Sequence, residues 1–172
     1  MSALPLAFRN VRTDPSDPVE AWPTEAVQTA LERGDLEHWR RIASVIRRDP
    51  WGPTARQVEE ILRHSRPYGV ANLMESVIAR ARAAALREER ATVAREITDA
   101  ITRSGMGRAE LAARLGTSAS RLSTYASGKV TPSATFMVRL RRVAGAPRPA
   151  EGHSAGVSRA AKTVTPRRNQ AT

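Results

Sequence analysis

One segment of the chain has side chains suited to contacts with nucleic-acid bases, at the start of a predicted helix: Ala119, Ser120, Arg121 and Thr124. Serine and threonine hydroxyls donate or accept hydrogen bonds at base edges, alanine contacts the thymine methyl group, and arginine binds guanine through two hydrogen bonds. Leu122 and Tyr125 fall on the other side of this helix and are expected to be buried. The spacing therefore indicates an amphipathic helix with one apolar face and one polar face.

A second predicted helix precedes this one and would hold it in place. Leu111, Ala112 and Leu115 form its apolar face, and the small side chain of Ala112 allows a neighbouring helix to come close. Gly116 follows at the position where a helix C-terminus commonly adopts a positive φ. Ser118 is then placed to cap the next helix. The two helices are thus predicted to be joined by a tight turn.

A resemblance to a known family lies in residues 104–133, which read SGMGRAELAARLGTSASRLSTYASGKVTPS. The helix ELAARLG, the short turn, the second helix and the exit GKVTPS together resemble the DNA-binding domain of Cro and the phage repressors, the XRE family of helix-turn-helix proteins. The resemblance covers about residues 88–145. It implies a lambda-repressor-like helix-turn-helix domain that binds double-stranded DNA and needs no cofactor.

The same resemblance implies roles for individual residues. The base-reading positions are Ala119, Ser120, Arg121 and Thr124, and the phosphate-contacting positions are Arg108, Ser118 and Lys129. The chain departs from the family pattern in three places: Gly107 stands where a capping threonine or serine is usual, Ala119 replaces a frequent glutamine, and Ala126 a common glutamate. Because of these changes, the sequence does not specify which bases the helix recognises. For Arg121, a base contact, a phosphate contact and plain solvent exposure remain alternatives, and two helices joined by a glycine also occur in proteins that never bind DNA.

The distribution of charge supports a polyanionic partner for the C-terminal half. The formal net charge of +11 divides into +1 for residues 1–86, +6 for residues 87–145 and +4 for residues 146–172. A basic stretch of this kind attracts phosphate groups. Because 26 of the 28 basic residues are arginine and alanine is abundant, part of this bias reflects a GC-rich genome.

Other chemistries find little support in the composition. The chain has no cysteine and three scattered histidines, so a metal centre is not expected. His38, beside Glu37, and His64 sit in no catalytic motif, so we predict that the protein is not an enzyme. The first residues lack the apolar run of a signal peptide, and no stretch is long and apolar enough to span a membrane. These features favour a cytoplasmic, bacterial, nucleoid-associated protein.

The pattern of apolar residues predicts an all-α fold. Helices are expected over residues 24–33, from Asp35 to Pro50 and over residues 54–64, and a nearly continuous helix over residues 71–104, which contain no glycine or proline. A last helix begins near Ser133. The expected organisation is a flexible arm (1–22), a helical dimerisation or partner-binding domain (23–86), the helix-turn-helix domain (87–145) and a disordered basic tail (146–172).

Two functional hypotheses follow from this organisation. The first is a sequence-specific transcriptional regulator, in the simplest case a repressor that binds an inverted repeat as a homodimer through residues 23–86 and the apolar residues Leu73, Val77 and Ile78. The alternative is an antitoxin, or another protein whose N-terminal helices bind a partner protein, that also regulates its own operon. Arg40, Arg41, Arg47 and Arg48 could form a second nucleic-acid patch, although nearby acidic residues favour an ion-paired surface.

Overall fold

Seven α-helices and one short 3-10 helix make up the regular structure of the residues described by the computed structural model, which are 6–9 and 11–145. These residues include no β-strand, so the predicted all-α class is confirmed. The 3-10 helix lies at Val19–Ala21. The α-helices are α1 (Thr24–Arg33), α2 (Leu36–Arg48), α3 (Pro53–His64), α4 (Val70–Ser104), α5 (Arg108–Leu115), α6 (Ala119–Ala126) and α7 (Ala134–Val143).

The chain divides into two compact units. Of the described residues, one unit contains 6–9 and 11–98 together with Ser123–Thr131, and the other contains Asp99–Leu122 and residues 132–145. The domain boundary expected between residues 86 and 87 falls inside α4, so no loop marks it. The basic tail expected at residues 146–172 lies outside the residues that the structure describes.

The core of the first unit is built by α1, α2, α3 and the first part of α4. Helix α2 begins at a capping box, in which the Oδ1 atom of Asp35 accepts hydrogen bonds from the amides of Glu37 and His38 at 3.0 and 3.2 Å. Cap hydrogen bonds of this kind satisfy amides that have no partner inside the helix. The buried core side chains include Val27, Leu31, Ile42, Ile46, Val58, Ile61, Met74 and Ile78.

Part of the segment expected to be a flexible arm is packed instead. Trp22 is 2% exposed, and its Nε1 atom donates to the carbonyl of Asp17 at 3.0 Å. The guanidinium of Arg41 lies 5.0 Å from the Trp22 ring, and Phe8 contacts the ring edge-on at a centroid distance of 5.0 Å. The arm expectation is therefore wrong for these residues. Isolated apolar residues show no periodicity, but here they are buried against helices formed by later sequence.

Helix α4 runs without interruption for 35 residues, which confirms the nearly continuous helix predicted there. Glycines with positive φ stand at both ends, Gly69 at 75° and Gly105 at 63°. Ile78 is 4% exposed and belongs to the core of the first unit, and Val77 is packed against it, whereas Leu73 is 42% exposed. Of the three apolar residues expected at a dimer surface, only Leu73 is therefore free for that role.

Candidate nucleic-acid interface

Helix α5 has the buried face that its sequence predicts. Leu111, Ala112 and Leu115 are each no more than 1% exposed, and α5 packs against α7. Gly107 precedes the helix with φ −61° and provides no side-chain cap, as expected for a position that lacks serine or threonine. The start of α5 is consequently held by its packing rather than by a cap.

The turn after α5 is a Schellman motif. Gly116 adopts φ 68° and ψ 39°, and its amide donates to the carbonyl of Ala113 at 3.1 Å. The amide of Thr117 donates to the carbonyl of Ala112 at 2.9 Å. This pair of bonds satisfies carbonyls at the end of the helix and requires a left-handed residue, which glycine adopts without a steric penalty. The positive φ predicted for Gly116 is confirmed.

Ser118 lies two residues beyond that glycine and immediately precedes α6, which begins at Ala119. The Oγ atom of Ser118 accepts a hydrogen bond from the amide of Arg121 at 3.1 Å, and its carbonyl accepts one from the amide of Leu122 at 2.9 Å. Ser118 is thus the N-cap of α6, as predicted. The three residues 116–118 reverse the chain and start the second helix, which gives the compact turn of a helix-turn-helix.

The side chains proposed to read bases lie on the accessible part of α6. Ala119, Ser120 and Arg121 are exposed and Thr124 is half-buried, whereas Leu122 is fully buried. Tyr125, expected to be buried, is half-buried. At 3.6 residues per turn, Ser120, Arg121 and Thr124 fall within an arc of about 100° on the helix. One face of α6 therefore carries two hydroxyls and one guanidinium.

The chain leaves α6 through a second glycine with positive φ. Gly128 has φ 71°, and its amide donates to the carbonyl of Tyr125 at 3.0 Å. A methyl group added at Gly128 would lie 3.5 Å from the Cβ of Ala94, so this glycine is close to the surface of α4. Sequence reasoning identified the glycine as part of the exit motif but not this close approach, because Ala94 lies 34 positions earlier.

Helix α7 begins at the last part of the motif. The Oγ atom of Ser133 accepts a hydrogen bond from the amide of Phe136 at 3.2 Å, which confirms the predicted start of this helix. Phe136, Met137 and Leu140 are buried. The Gly-Lys-x-x-Pro-Ser exit therefore has a structural purpose: it ends one helix and caps the next.

The residues proposed to contact phosphate are all exposed: Arg108, Ser118 and Lys129. Within the part of the chain that the structure describes, Arg108, Arg121 and Lys129 form no ion pair, and neighbouring Arg114 pairs with Glu110 at 3.1 Å. Three cations near the two short helices are thus available to an external anion. Their charge favours a polyanion such as the DNA backbone.

The remaining candidates from the sequence have structural roles. Arg41 donates to the carbonyls of Pro15 and Asp17, and Arg48 pairs with Glu20 at 2.6 Å, so the suggested second patch is at least partly an ion-paired and hydrogen-bonded surface. The Nδ1 atom of His38 lies 2.7 Å from the Oδ1 atom of Asp35 inside the capping box. Among residues 6–9 and 11–145, no group of acidic or histidine side chains is arranged to hold a metal ion, and none of the helices there combines the length and apolarity that crossing a bilayer requires.

Comparison with protein families adds an independent observation to this geometry. Residues 79–152 match the model of a family described as a helix-turn-helix domain. Neither the curated proteins nor the solved structures include a match to the chain. The match begins inside α4, earlier than the resemblance at residues 88–145, and includes α5, α6 and α7.

The chain thus carries a helix-turn-helix domain, a module of DNA-binding regulators. This finding agrees with the resemblance to Cro and the phage repressors, and both place the two short helices α5 and α6 at the centre of the domain.

Proposed function

We propose that this protein is a sequence-specific transcriptional regulator that inserts α6 into the major groove of DNA. The observation that carries the proposal is the arrangement of α6: the Schellman turn and the Ser118 cap start the helix, and Ser120, Arg121 and Thr124 share its accessible face. The N-terminal residues of the second helix are those that contact base edges in helix-turn-helix proteins.

The proposed readers divide the recognition between them. Arg121 binds a guanine through two hydrogen bonds, Ser120 and Thr124 bond to base edges, and the methyl group of Ala119 contacts thymine. Arg108, Ser118 and Lys129 contact phosphates and fix the register of the helix on the duplex without reading sequence. Short hydroxyl side chains discriminate weakly, so Arg121 supplies most of the base specificity.

The proposed mode of action is repression by a homodimer bound to an inverted repeat in the bacterial cytoplasm. A single recognition helix covers only a few base pairs, and two copies double the contacts that compete against non-specific genomic sites. In helix-turn-helix dimers the half-sites lie about 34–36 Å apart, one turn of DNA. The exposed apolar side chains of the first unit that support a subunit contact include Trp51, Tyr68 and Leu73, with exposed fractions of 42%, 104% and 42%.

The same exposed side chains support the second candidate, an antitoxin-like protein that binds a partner protein through residues 23–86 and regulates its own operon. Aromatic residues are enriched where proteins bind one another. In that case a protein partner copurifies with the chain from its native host, and the gene for the partner lies next to the gene for this protein. A chain that copurifies with no protein supports the simple regulator.

Binding-site selection tests the proposed function directly. The full-length protein is incubated with a random duplex pool, and bound DNA is amplified and sequenced over several rounds. We expect an inverted repeat with half-sites one helical turn apart. The triple variant Ser120→Ala, Arg121→Ala, Thr124→Ala should retain non-specific binding and lose the enriched motif. Arg56→Ala, an exposed position on α3, is the matched control and should enrich the wild-type motif.

Two results of this experiment would contradict parts of the proposal. If no sequence were enriched from the pool, the proposal of sequence-specific recognition would be contradicted. The dimer would be contradicted if selection enriched a single half-site and light scattering gave a monomer mass for the full-length protein. The proposal that α6 recognises the bases would still stand.

A further inference from the structure

A groove between α3 and the first part of α4 has the size and lining of a small-molecule site. It has a volume of 610 Å³, within the range of about 300–1,000 Å³ typical of ligand pockets. Its lining residues are Glu59, Leu62, Arg63, Arg66, Glu75, Ile78, Ala79 and Arg82. All of them belong to the first unit, and none takes part in the proposed DNA contacts.

The base of the groove is apolar. Leu62 and Ile78 are each 4% exposed and belong to the hydrophobic core of the first unit, and Ala79 adds a small exposed methyl group beside them. A ligand body that covers Ala79 and the small exposed parts of Leu62 and Ile78 removes that apolar surface from water, which is favourable. The base therefore suits an aromatic or aliphatic group.

Two ion pairs stand at the ends of the groove. Arg66 binds Glu75 at 2.8 Å, and Arg82 binds Glu59 through two hydrogen bonds at 2.6 and 3.0 Å. The Nε atom of Arg82 also donates to the carbonyl of Pro50 at 3.1 Å. Residues 75 and 82 are separated by seven positions along a helix, or about 10 Å. This length limits the ligand body to one or two rings.

Arg63 carries the charge that these pairs leave uncompensated. Its side chain is exposed on the last turn of α3 and forms no hydrogen bond or ion pair within the described part of the chain. After the hydrogen bonds from Arg82, its charge contributes to the lowered pKa of Glu59. Since both carboxylates of the groove are already bound by Arg66 and Arg82, its lining has one net positive charge. A planar guanidinium binds a carboxylate through two parallel hydrogen bonds.

From these features we infer that the groove between α3 and α4 binds a small carboxylic acid with an apolar body. The carboxylate pairs with Arg63, and the apolar body lies on Leu62, Ile78 and Ala79. A cation would be repelled by Arg63, and an inorganic anion would make no apolar contact with the base of the groove. The inference concerns residues outside the helix-turn-helix contacts and does not depend on DNA binding.

The test uses 2-naphthoate as the probe and the full-length protein. Methyl resonances of Leu62 and Ile78 are followed by NMR during the titration. We expect saturable shifts with a dissociation constant of about 1 mM or lower, as the size of the probe suggests. Sodium sulfate should leave these methyl resonances unchanged, and the neutral analogue 2-naphthamide should bind about tenfold more weakly.

Substitutions of exposed residues distinguish binding of naphthoate in the groove from non-specific binding elsewhere on the protein. Arg63→Gln should weaken naphthoate binding about tenfold, which corresponds to about 1.4 kcal/mol, whereas Arg56→Gln, an exposed arginine of α3 that does not line the groove, should bind as the wild type does. Ala79→Glu places a carboxylate at the base and should abolish binding. The inference is overturned by shifts that do not saturate, by equal binding of Arg63→Gln and wild type, or by equal binding of the acid and the amide.

Discussion

The hydroxyl of Ser118 accepts a hydrogen bond at 3.1 Å from the amide of Arg121, the residue proposed to read guanine. One side chain therefore satisfies a free amide at the start of α6 and holds the backbone from which the reading side chain projects. The hydrogen bond between Ser118 and Arg121 thus links the stability of the start of α6 to the position of the Arg121 side chain.

This relationship gives the first prediction. Ser118→Ala should lower the free energy of unfolding by about 1 kcal/mol, because an N-cap bond is lost. It should also weaken DNA binding to selected and random sequences alike, since all contacts of α6 depend on its start. Ser118→Asn retains a capping oxygen and should recover most of the stability. Urea unfolding and a DNA titration measure the two effects, and an unchanged midpoint in Ser118→Ala would contradict the cap.

The second prediction concerns the backbone of the turn. Gly116→Ala should destabilise the protein by about 1–2 kcal/mol, because φ 68° is unfavourable for a residue with a Cβ. Gly107→Ser is the contrasting glycine variant: φ there is −61° and an added Cβ meets no atom within 4 Å, so serine can cap α5 and stabilise it by a few tenths of a kcal/mol. In thermal unfolding, the midpoint temperature should fall for Gly116→Ala and rise slightly for Gly107→Ser.

The third prediction separates base reading from phosphate contact. Arg121→Ala should cost about 1–3 kcal/mol on the selected site and relax the preference at one base pair. Lys129→Ala should weaken binding to all sequences and reduce the salt dependence by about one phosphate contact. Titrations at several salt concentrations on selected and random duplexes measure both. Equal losses on the two duplexes for Arg121→Ala would assign Arg121 to a phosphate.

The fourth prediction follows from the packed N-terminal segment. Trp22→Ala should destabilise the protein by about 3–5 kcal/mol, because the side chain is 2% exposed and also bonds to Asp17. Trp51→Ala, at a side chain that is 42% exposed, is the matched control and should cost about 1 kcal/mol or less. Urea unfolding distinguishes them, and similar midpoints for the two variants would show that Trp22 contributes no core packing.

The fifth prediction is a pH dependence. The hydrogen bonds from Arg82 hold the pKa of Glu59 below its usual value of 4.5. A lowered pKa in the folded state means that the pair stabilises the protein above pH 4.5, and that this contribution is lost as the pH falls through the lowered value. Glu59→Gln should therefore flatten the loss of stability below pH 4.5, and at pH 7 it should cost about 1 kcal/mol or less, because the pair is partly exposed.

A double-mutant cycle checks the cause of that pH dependence. Arg82→Gln should flatten the acid dependence as Glu59→Gln does, and the double variant should add no further flattening. Arg82→Gln should also be less stable at pH 7 than Glu59→Gln, because it loses the hydrogen bond to the carbonyl of Pro50. An additive effect of the two substitutions on the acid slope would rule out the pair as the source.

The local features of the helix-turn-helix were determined by the sequence itself. The apolar spacing of Leu111 and Leu115, the left-handed glycine at 116 and the cap at Ser118 each depend on residues within about one helical turn. Such short-range preferences act wherever the segment is placed, so their positions could be predicted one by one. The uninterrupted run of helix formers in α4 was predictable for the same reason.

Only the tertiary structure decided which apolar side chains of the helices are buried and which remain exposed. Trp22 is buried because Gln57 and Arg41, far from it in sequence, lie against its segment: Gln57 donates to the Trp22 carbonyl at 3.2 Å. Ile78 packs in the core of the first unit rather than at a dimer surface, and the groove at Arg63 is lined by residues of both α3 and α4. Burial depends on contacts between residues distant in the chain, and helical periodicity does not specify which partner covers an apolar face.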